Sequence, residues 1–261
     1  MRRYATAVAA VAAVAAVLAA AACTDEPSPS NPTVTAGRST TLTVLAAASL
    51  QDVFPVIARD FAAHYPGAKV RFSFGPSSGL ATSIAAGAPA DVFASASPAA
   101  LGPVVDAGLV GDPQTFAVNT LELVVPPSNP ARITTLLDLN RGGVKLAVCA
   151  AKVPCGDAAA AVMTGAHITT VPATFDVDVR AVLTKVELGE VDAGLVYVTD
   201  AKAAGSRVTG IPIPPASNVS TTYPIVVVNT AQNHPLAASF VAFVLSDNGR
   251  KALAAAGFGL P

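Results

Sequence analysis

The chain is poor in the residues from which most active sites are built. Among its 261 residues are three histidines and three cysteines, and no His/Cys/Asp cluster shows metal-ligand spacing. That argues against a resident metal centre. No G-x-S-x-G pentapeptide is present to seat a hydrolase nucleophile. His64 falls in a tyrosine–proline turn after a helical stretch, His167 sits in a loop-like context and His234 precedes Pro235. All three read as solvent-facing rather than as bases paired with a serine, so a secreted hydrolase is a distant alternative. Charge of one sign is lacking too, which excludes the basic surface a nucleic-acid binder needs. No tandem repeat is visible, and this counts against a repetitive adhesive surface protein.

The N-terminus is rich in one thing only. Met1-Arg2-Arg3 precedes an Ala/Val/Leu run from Ala5 to Ala22, broken by Thr6 and ending at Cys23. A basic start, an apolar middle and small residues before a cut describe a secretory signal at 1–22 rather than a membrane span. Ala20-Ala21-Ala22-Cys23 also resembles a bacterial lipobox, with Ala20 where Leu is more usual. On that reading Cys23 is the lipid-attachment site and the protein is anchored to the outside of the cell membrane. A plain cleaved signal and an uncleaved anchor are the alternatives. Residues 23–39 are rich in Pro, Ser and Thr and without apolar periodicity, the composition of a flexible tether. Loss of residues 1–22 removes Arg2 and Arg3 and no acid, leaving 14 basic against 17 acidic residues and a formal charge of −3.

With Cys23 assigned, Cys149 and Cys155 remain, six positions apart. In an exported protein two such cysteines favour a disulfide closing a small loop, here around Ala-Ala-Lys-Val-Pro; two separate buried thiols are the alternative.

From residue 42 onward the pattern alternates. Apolar runs predict strands at 42–47, 70–74, 91–95, 114–126, 145–149, 193–198 and 223–229. Helical periodicity predicts helices at 52–64, 79–86, 98–107, 134–140, 157–163, 177–188, 235–245 and 249–256. In the first of these, Val53, Phe54, Val56, Ile57 and Phe61 form the expected apolar face. Such alternation argues for an α/β architecture with mostly parallel sheets covered on both faces. About 220 residues suit two lobes. The long extended stretches 114–126 and 214–228 are candidate crossings, giving a first lobe of 40–121 plus 222–261 and a second of 122–221, with a ligand cleft between them.

Two places in this pattern carry chemistry. The run Thr41–Leu50 is apolar until it stops at Ser49, and Val70–Leu80 repeats the logic at Ser77. Each reads as a strand delivering a serine to the first turn of a helix, where free N–H groups and the positive end of the helix dipole attract an anion. Taken singly, either serine is a plain N-cap, worth about 0.5–2 kcal/mol. In the second half, Val153-Pro154-Cys155-Gly156-Asp157 and Asp178-Val179-Arg180 open further helices, and Tyr197 ends a strand from which its phenol could enter the cleft. Desolvating a doubly charged anion costs on the order of tens of kcal/mol unless dipoles replace its hydration. Converging hydroxyl and N–H donors meet that need without a full positive charge. Arg180 reads as a surface or salt-bridge residue.

The same residues carry a resemblance. Ala46-Ala-Ala-Ser49-Leu50, Phe74-Gly-Pro-Ser77-Ser78-Gly-Leu80, Gly87-Ala-Pro-Ala-Asp91-Val-Phe93, Val153-Pro-Cys155-Gly156, Asp178-Val179-Arg180 and Gly194-Leu-Val-Tyr197 resemble the extracytoplasmic molybdate-binding proteins of ABC transporters. The end, from Ser246-Asp-Asn-Gly-Arg250 to Gly257-Phe258, is similar to the last helix of the wider binding-protein class. The resemblance implies a type II periplasmic-binding-protein fold of two α/β lobes, a molybdate or tungstate ligand, no cofactor, no enzymatic turnover, a monomer, and delivery to a membrane permease. Carried over by position, it implies that Ser49 and Ser77 donate hydroxyl and backbone N–H bonds, Cys155 and Val179 a backbone N–H each, and Tyr197 its hydroxyl. Cys155 stands where the family often has a small residue such as Ala, so that a Cys149–Cys155 bridge would fix the site. Pro76 removes one loop N–H and leaves Ser77 or Ser78 as the ligand; the spacing to Leu80 favours Ser77. Another tetrahedral anion such as sulfate is the runner-up, and Asp52, Asp157 and Asp178 lie near enough to the motifs that phosphate stays open.

Overall fold

The computed structural model describes residues 40–261. The expected signal at 1–22, the lipid-attachment residue Cys23 and the tether at 23–39 lie outside the described residues. Strand β1 (Thr41–Ala47) runs through a 3-10 turn (Ala48–Leu50) to helix α1 (Phe54–His64), and β2 (Lys69–Gly75) leads directly into α2 (Ser77–Ala85). After β3 (Val92–Ala94) and the short α3 (Gly102–Asp106), the chain extends into the twelve-residue β4 (Gln114–Val125). Then follow β5 (Leu146–Cys149), α4 (Pro154–Gly165), β6 (Thr174–Asp176), α5 (Val179–Glu187), β7 (Ala193–Tyr197), α6 (Val198–Ala204) and β8 (Thr209–Pro212). The return strand β9 (Ser220–Val227) and the terminal pair α7 (His234–Leu245) and α8 (Asp247–Ala256) complete the order.

These strands form one nine-stranded sheet in the order β2-β1-β3-β9-β4-β7-β5-β6, with β8 beside β4. The β4 strand holds it together. Its first part, to Thr120, pairs antiparallel with β9; from Leu121 it pairs antiparallel with β7, and from Glu122 also with β8. One chain segment therefore belongs to both halves of the sheet: β2, β1, β3 and β9 on one side, β7, β5, β6 and β8 on the other. The β1–β2, β1–β3, β5–β6 and β5–β7 pairs are parallel, while β3–β9, β4–β9, β4–β7 and β4–β8 are antiparallel. The expectation of mostly parallel sheets is thus corrected. The two long strands run against their neighbours, as strands must when one carries the chain out and another brings it back.

Burial explains why the apolar runs are uninterrupted. On β1, Leu42, Val44 and Ala46 join a large core with Phe54, Phe61, Phe116, Tyr223 and Phe240, whereas Leu45 points to the opposite face and packs with Ala81, Ile84, Phe93 and Val226. A strand covered on both faces reads as a continuous apolar stretch. On α1, Phe54, Ile57 and Phe61 are buried at helical spacing, and Phe54 meets Phe72, Phe116 and Phe240 with ring centroids 6.0, 5.8 and 6.3 Å away. Each such side chain contributes roughly 1.5–3 kcal/mol by leaving water. Val56, expected on this face, is instead exposed: two residues from Phe54 is about 200° around the helix.

Candidate functional site

Five chain segments that follow strands with a parallel partner, after β1, β2, β3, β5 and β6, end at one small, partly open cavity of about 10 Å³, and β7 closes it with its last residue. Ser49, Ser77, Cys155, Val179 and Tyr197 all line it, so the five residues singled out in sequence are brought together. They come from both halves of the sheet. Ser49 and Ser77 follow β1 and β2; Cys155, Val179 and Tyr197 follow β5, follow β6 and end β7.

Each segment reaches the cavity for a local reason. Pro154 occupies the first turn of α4, where its missing N–H costs nothing, and α4 starts at Pro154 rather than at the expected residue 157. Cys155 therefore lies within the first turn, whose N–H groups have no intrahelical acceptor. The Cys149–Cys155 disulfide is formed and ties this turn to the end of β5. At α5 the Asp178 carboxylate accepts from Arg180 N–H at 2.9 Å and Ala181 N–H at 3.0 Å. That cap uses the second and third N–H groups and leaves the first, on Val179, for the cavity.

The two serines behave differently from helix caps. Neither makes a side-chain capping bond. Ser49 sits in the 3-10 turn, separate from α1, and its Oγ is 2.9 Å from the Tyr223 hydroxyl. Ser77 is the first residue of α2, with Pro76 as the cap position, and its Oγ accepts from Ala96 N–H at 3.0 Å. With an acceptor site filled from behind, the Ser77 hydroxyl proton is free to point elsewhere. Ser77 is buried against this cavity, whereas Ser78 faces a different surface cleft. Of the two serines, only Ser77 lines the cavity.

Tyr197 is 1% exposed, and its hydroxyl finds no partner in ordinary hydrogen-bond geometry among the described residues, although Thr221 and Tyr223 flank it. Burial pushes its pKa well above the usual phenol value, so it is a neutral donor at any physiological pH. Among the described residues no lysine, arginine or histidine lines the cavity, and the one carboxylate that does, Asp178, is occupied by its own helix. Chemically this is a cage of N–H and O–H donors at helix starts, suited to an oxyanion. His64, His167 and His234 are exposed, and none of them lines the cavity.

Residues 42–259 match the family described as bacterial extracellular solute-binding protein. The chain belongs to that family. Among curated relatives, the molybdate-binding protein ModA of Mycobacterium tuberculosis is 43% identical over 237 residues, covering 90% of this chain and 89% of the relative. Two solved binding proteins share the fold. The periplasmic molybdate-binding protein of Azotobacter vinelandii superposes with a TM-score of 0.72 at 21% identity, over 84% of this chain and 99% of the other. The sulfate-binding protein SubI of M. tuberculosis gives 0.75 at 21% identity, over 84% and 86%. The architecture is the type II periplasmic-binding-protein fold, which hosts more than one oxyanion.

Behind the cavity of this solute-binding protein lie groups that sequence reasoning missed. Tyr223, fully buried, joins Ser49 to an aromatic cluster with Tyr197 and Phe258, its ring centroid 5.9 and 5.4 Å from theirs. Nearby, Asn119 donates to Thr199 Oγ1 at 2.8 Å. A tyrosine in an apolar strand signals core, and a buried phenol demands a partner; no local pattern says that the partner is 174 positions away.

Asp200, in the first turn of α6, is wholly buried beside Arg180, with Nε 3.1 Å from its carboxylate. Burial pushes its pKa up to about 7 from 3.8, against the pull of Arg180. The folded protein therefore keeps a proton that the unfolded chain has already released above about pH 4. Stability is expected to fall as pH rises from about 4 to 7 on this account. Asp200→Asn should flatten that part of a melting-temperature profile. An Asp200→Asn profile parallel to the wild type's over the same range would show that another group titrates.

Proposed function

We propose that the protein captures molybdate outside the cytoplasmic membrane and delivers it to an ABC permease, binding the ion without chemical turnover. The observation that supports this most directly is the convergence of Ser49, Ser77, Cys155, Val179 and Tyr197 on one cation-free cavity. In this reading Ser49 and Ser77 give hydroxyl and N–H bonds, Cys155 and Val179 give N–H bonds at the starts of α4 and α5, and Tyr197 gives its hydroxyl. A neutral donor cage suits a fully ionised tetrahedral anion, because no acceptor is needed for a ligand proton. Kinship at 43% identity with a curated molybdate-binding protein supports molybdate as the anion. Tungstate, with nearly the same size and shape, is proposed as a second ligand.

The two halves act as lobes, 40–121 plus 222–261 and 122–221, that close on the ion. Closure follows from differential affinity: donors on both sides are satisfied together only in the closed form. The protein is proposed to work as a monomer, exported by residues 1–22, lipid-anchored through Cys23 and held off the membrane by 23–39.

Titration calorimetry with molybdate, tungstate, sulfate and phosphate tests the assignment. Tight binding of molybdate and tungstate, with sulfate and phosphate much weaker, is expected. Tight sulfate binding with none for molybdate would overturn it in favour of a sulfate carrier.

A further inference from the structure

Beside the cavity, but not lining it, the guanidinium of Arg180 joins the two halves; farther off, Lys202 Nζ of α6 also donates across them to the Ala255 carbonyl of α8 at 2.8 Å. Arg180 follows Val179 on α5. Its guanidinium pairs with Asp200 of α6 through Nε and with Asp52, just after the Ser49 turn, through Nη2. The first pair lies within one half of the sheet; the second crosses to the other. Turning the Gln51 amide so that its oxygen faces Arg180 adds two more crossing bonds, at 3.1 and 3.2 Å. Side-chain exposure is 14% for Arg180, 0% for Asp200 and 53% for Asp52.

We propose that Arg180 is a positioning residue that latches the closed, ligand-bound form by gripping Asp52 of the other half beside the cavity. This rests on the molybdate reading above. The unequal burial of its two partners is what makes the latch reversible. A buried arginine without a counter-ion is costly, so a cation that crossed between lobes with only one partner would resist opening. Here Asp200 stays beside Arg180 whichever way the halves move, as its counter-ion above about pH 7, where the test is run, and as a neutral acceptor below it, so opening sacrifices only the half-exposed pair with Asp52 and the Gln51 bonds. Because its donors are turned to carboxylates, Arg180 adds no direct bond to the anion. Its role is to hold the Val179 N–H and the Ser49 turn in register on opposite sides of the ligand.

The test uses Asp52→Asn in the intact chain, with molybdate association and dissociation followed by stopped flow. An exposed ion pair corresponds to about a two- to fivefold change, so dissociation is expected to quicken by that factor. Association and the melting temperature without ligand should change little. The direction is diagnostic. Removing a negative charge near an anion site would, by charge alone, slow release. Salt supplies a second readout that a merely structural aspartate would not move: raising ionic strength should quicken release from the wild type and have a smaller effect on Asp52→Asn. Unchanged or slower release in the variant, or equal salt dependence in both proteins, overturns the latch and leaves the molybdate reading standing. A wild-type protein that does not bind molybdate overturns both.

Discussion

Gly156→Ala is expected to lower both stability and molybdate affinity sharply, although it adds a single methyl group to a helix. A Cβ at this position would lie 1.9 Å from the carbonyl oxygen of Ala150 and 2.9 Å from that of Cys149. Both obstacles are backbone, so no side chain can swing aside. The loop they belong to is closed by the Cys149–Cys155 disulfide, which limits how far it can retreat. The first turn of α4 must move instead, and it carries the Cys155 N–H proposed to bind the anion. Overpacking of this kind costs typically 1–3 kcal/mol and more where the surroundings cannot relax. Loss of one hydrogen bond to a charged ligand costs about 1.5–3 kcal/mol, or roughly 10- to 150-fold in affinity. Chemical denaturation and calorimetry measure the two effects separately. Gly165→Ala, at the other end of the same helix with nothing within 4 Å of the added Cβ, is the control and should bind as the wild type does. A Gly156→Ala protein as stable and as tight as that control would mean that the α4 start neither touches the loop nor serves the ligand.

How much of this is legible without coordinates depends on how local the cause is. The junctions at Ser77, Cys155 and Val179 can be read because apolar run, proline or aspartate, and helix follow one another within a few residues, and each signal is physically complete in itself. What Ser49 does with its hydroxyl cannot be read in this way. A serine after a strand looks like a cap, yet its Oγ is engaged by Tyr223 from the return strand β9. The strands β6 and β8 escaped notice because three or four residues on a sheet flank, one of them Pro212, carry no alternation; they exist because β5 and β4 offer them ladders. Helix α6 was hidden by starting directly at the end of β7, with no turn residues between. Arg180 reads as a surface or salt-bridge residue; it makes two ion pairs and its side chain is largely buried. Neither partner could be named, since one comes from a segment 128 positions earlier and the other is an aspartate in that unrecognised helix. Local sequence thus marks where donors start, and long-range packing decides which hydroxyls are held from behind, as Ser49 is by Tyr223, and which are not.

That distinction bears most on Tyr197, whose hydroxyl is not held in this way. Tyr197→Phe is expected to move two measurements in opposite directions. The hydroxyl is buried with only Thr221 and Tyr223 flanking it and no hydrogen bond of ordinary geometry among the described residues, and so poorly satisfied a group carries up to about 1–3 kcal/mol of desolvation penalty. Removing it leaves the ring and its edge-on contact with Tyr223 in place, so the protein without ligand should melt at the same temperature or higher. Molybdate affinity should fall roughly 10- to 150-fold, the value of a hydrogen bond to a charged acceptor. The rise in melting temperature on adding molybdate should shrink to match, since ligand stabilisation follows the logarithm of concentration over Kd. The sign pattern separates the alternatives. A phenol that merely props the core would lose stability without ligand and leave affinity nearly intact. If Tyr197→Phe binds molybdate as tightly as the wild type, this hydroxyl is no part of the cage, and the poorly satisfied oxygen needs another explanation. If stability rises while binding weakens, the chain keeps a poorly satisfied donor at a cost to its own fold because the anion is what satisfies it.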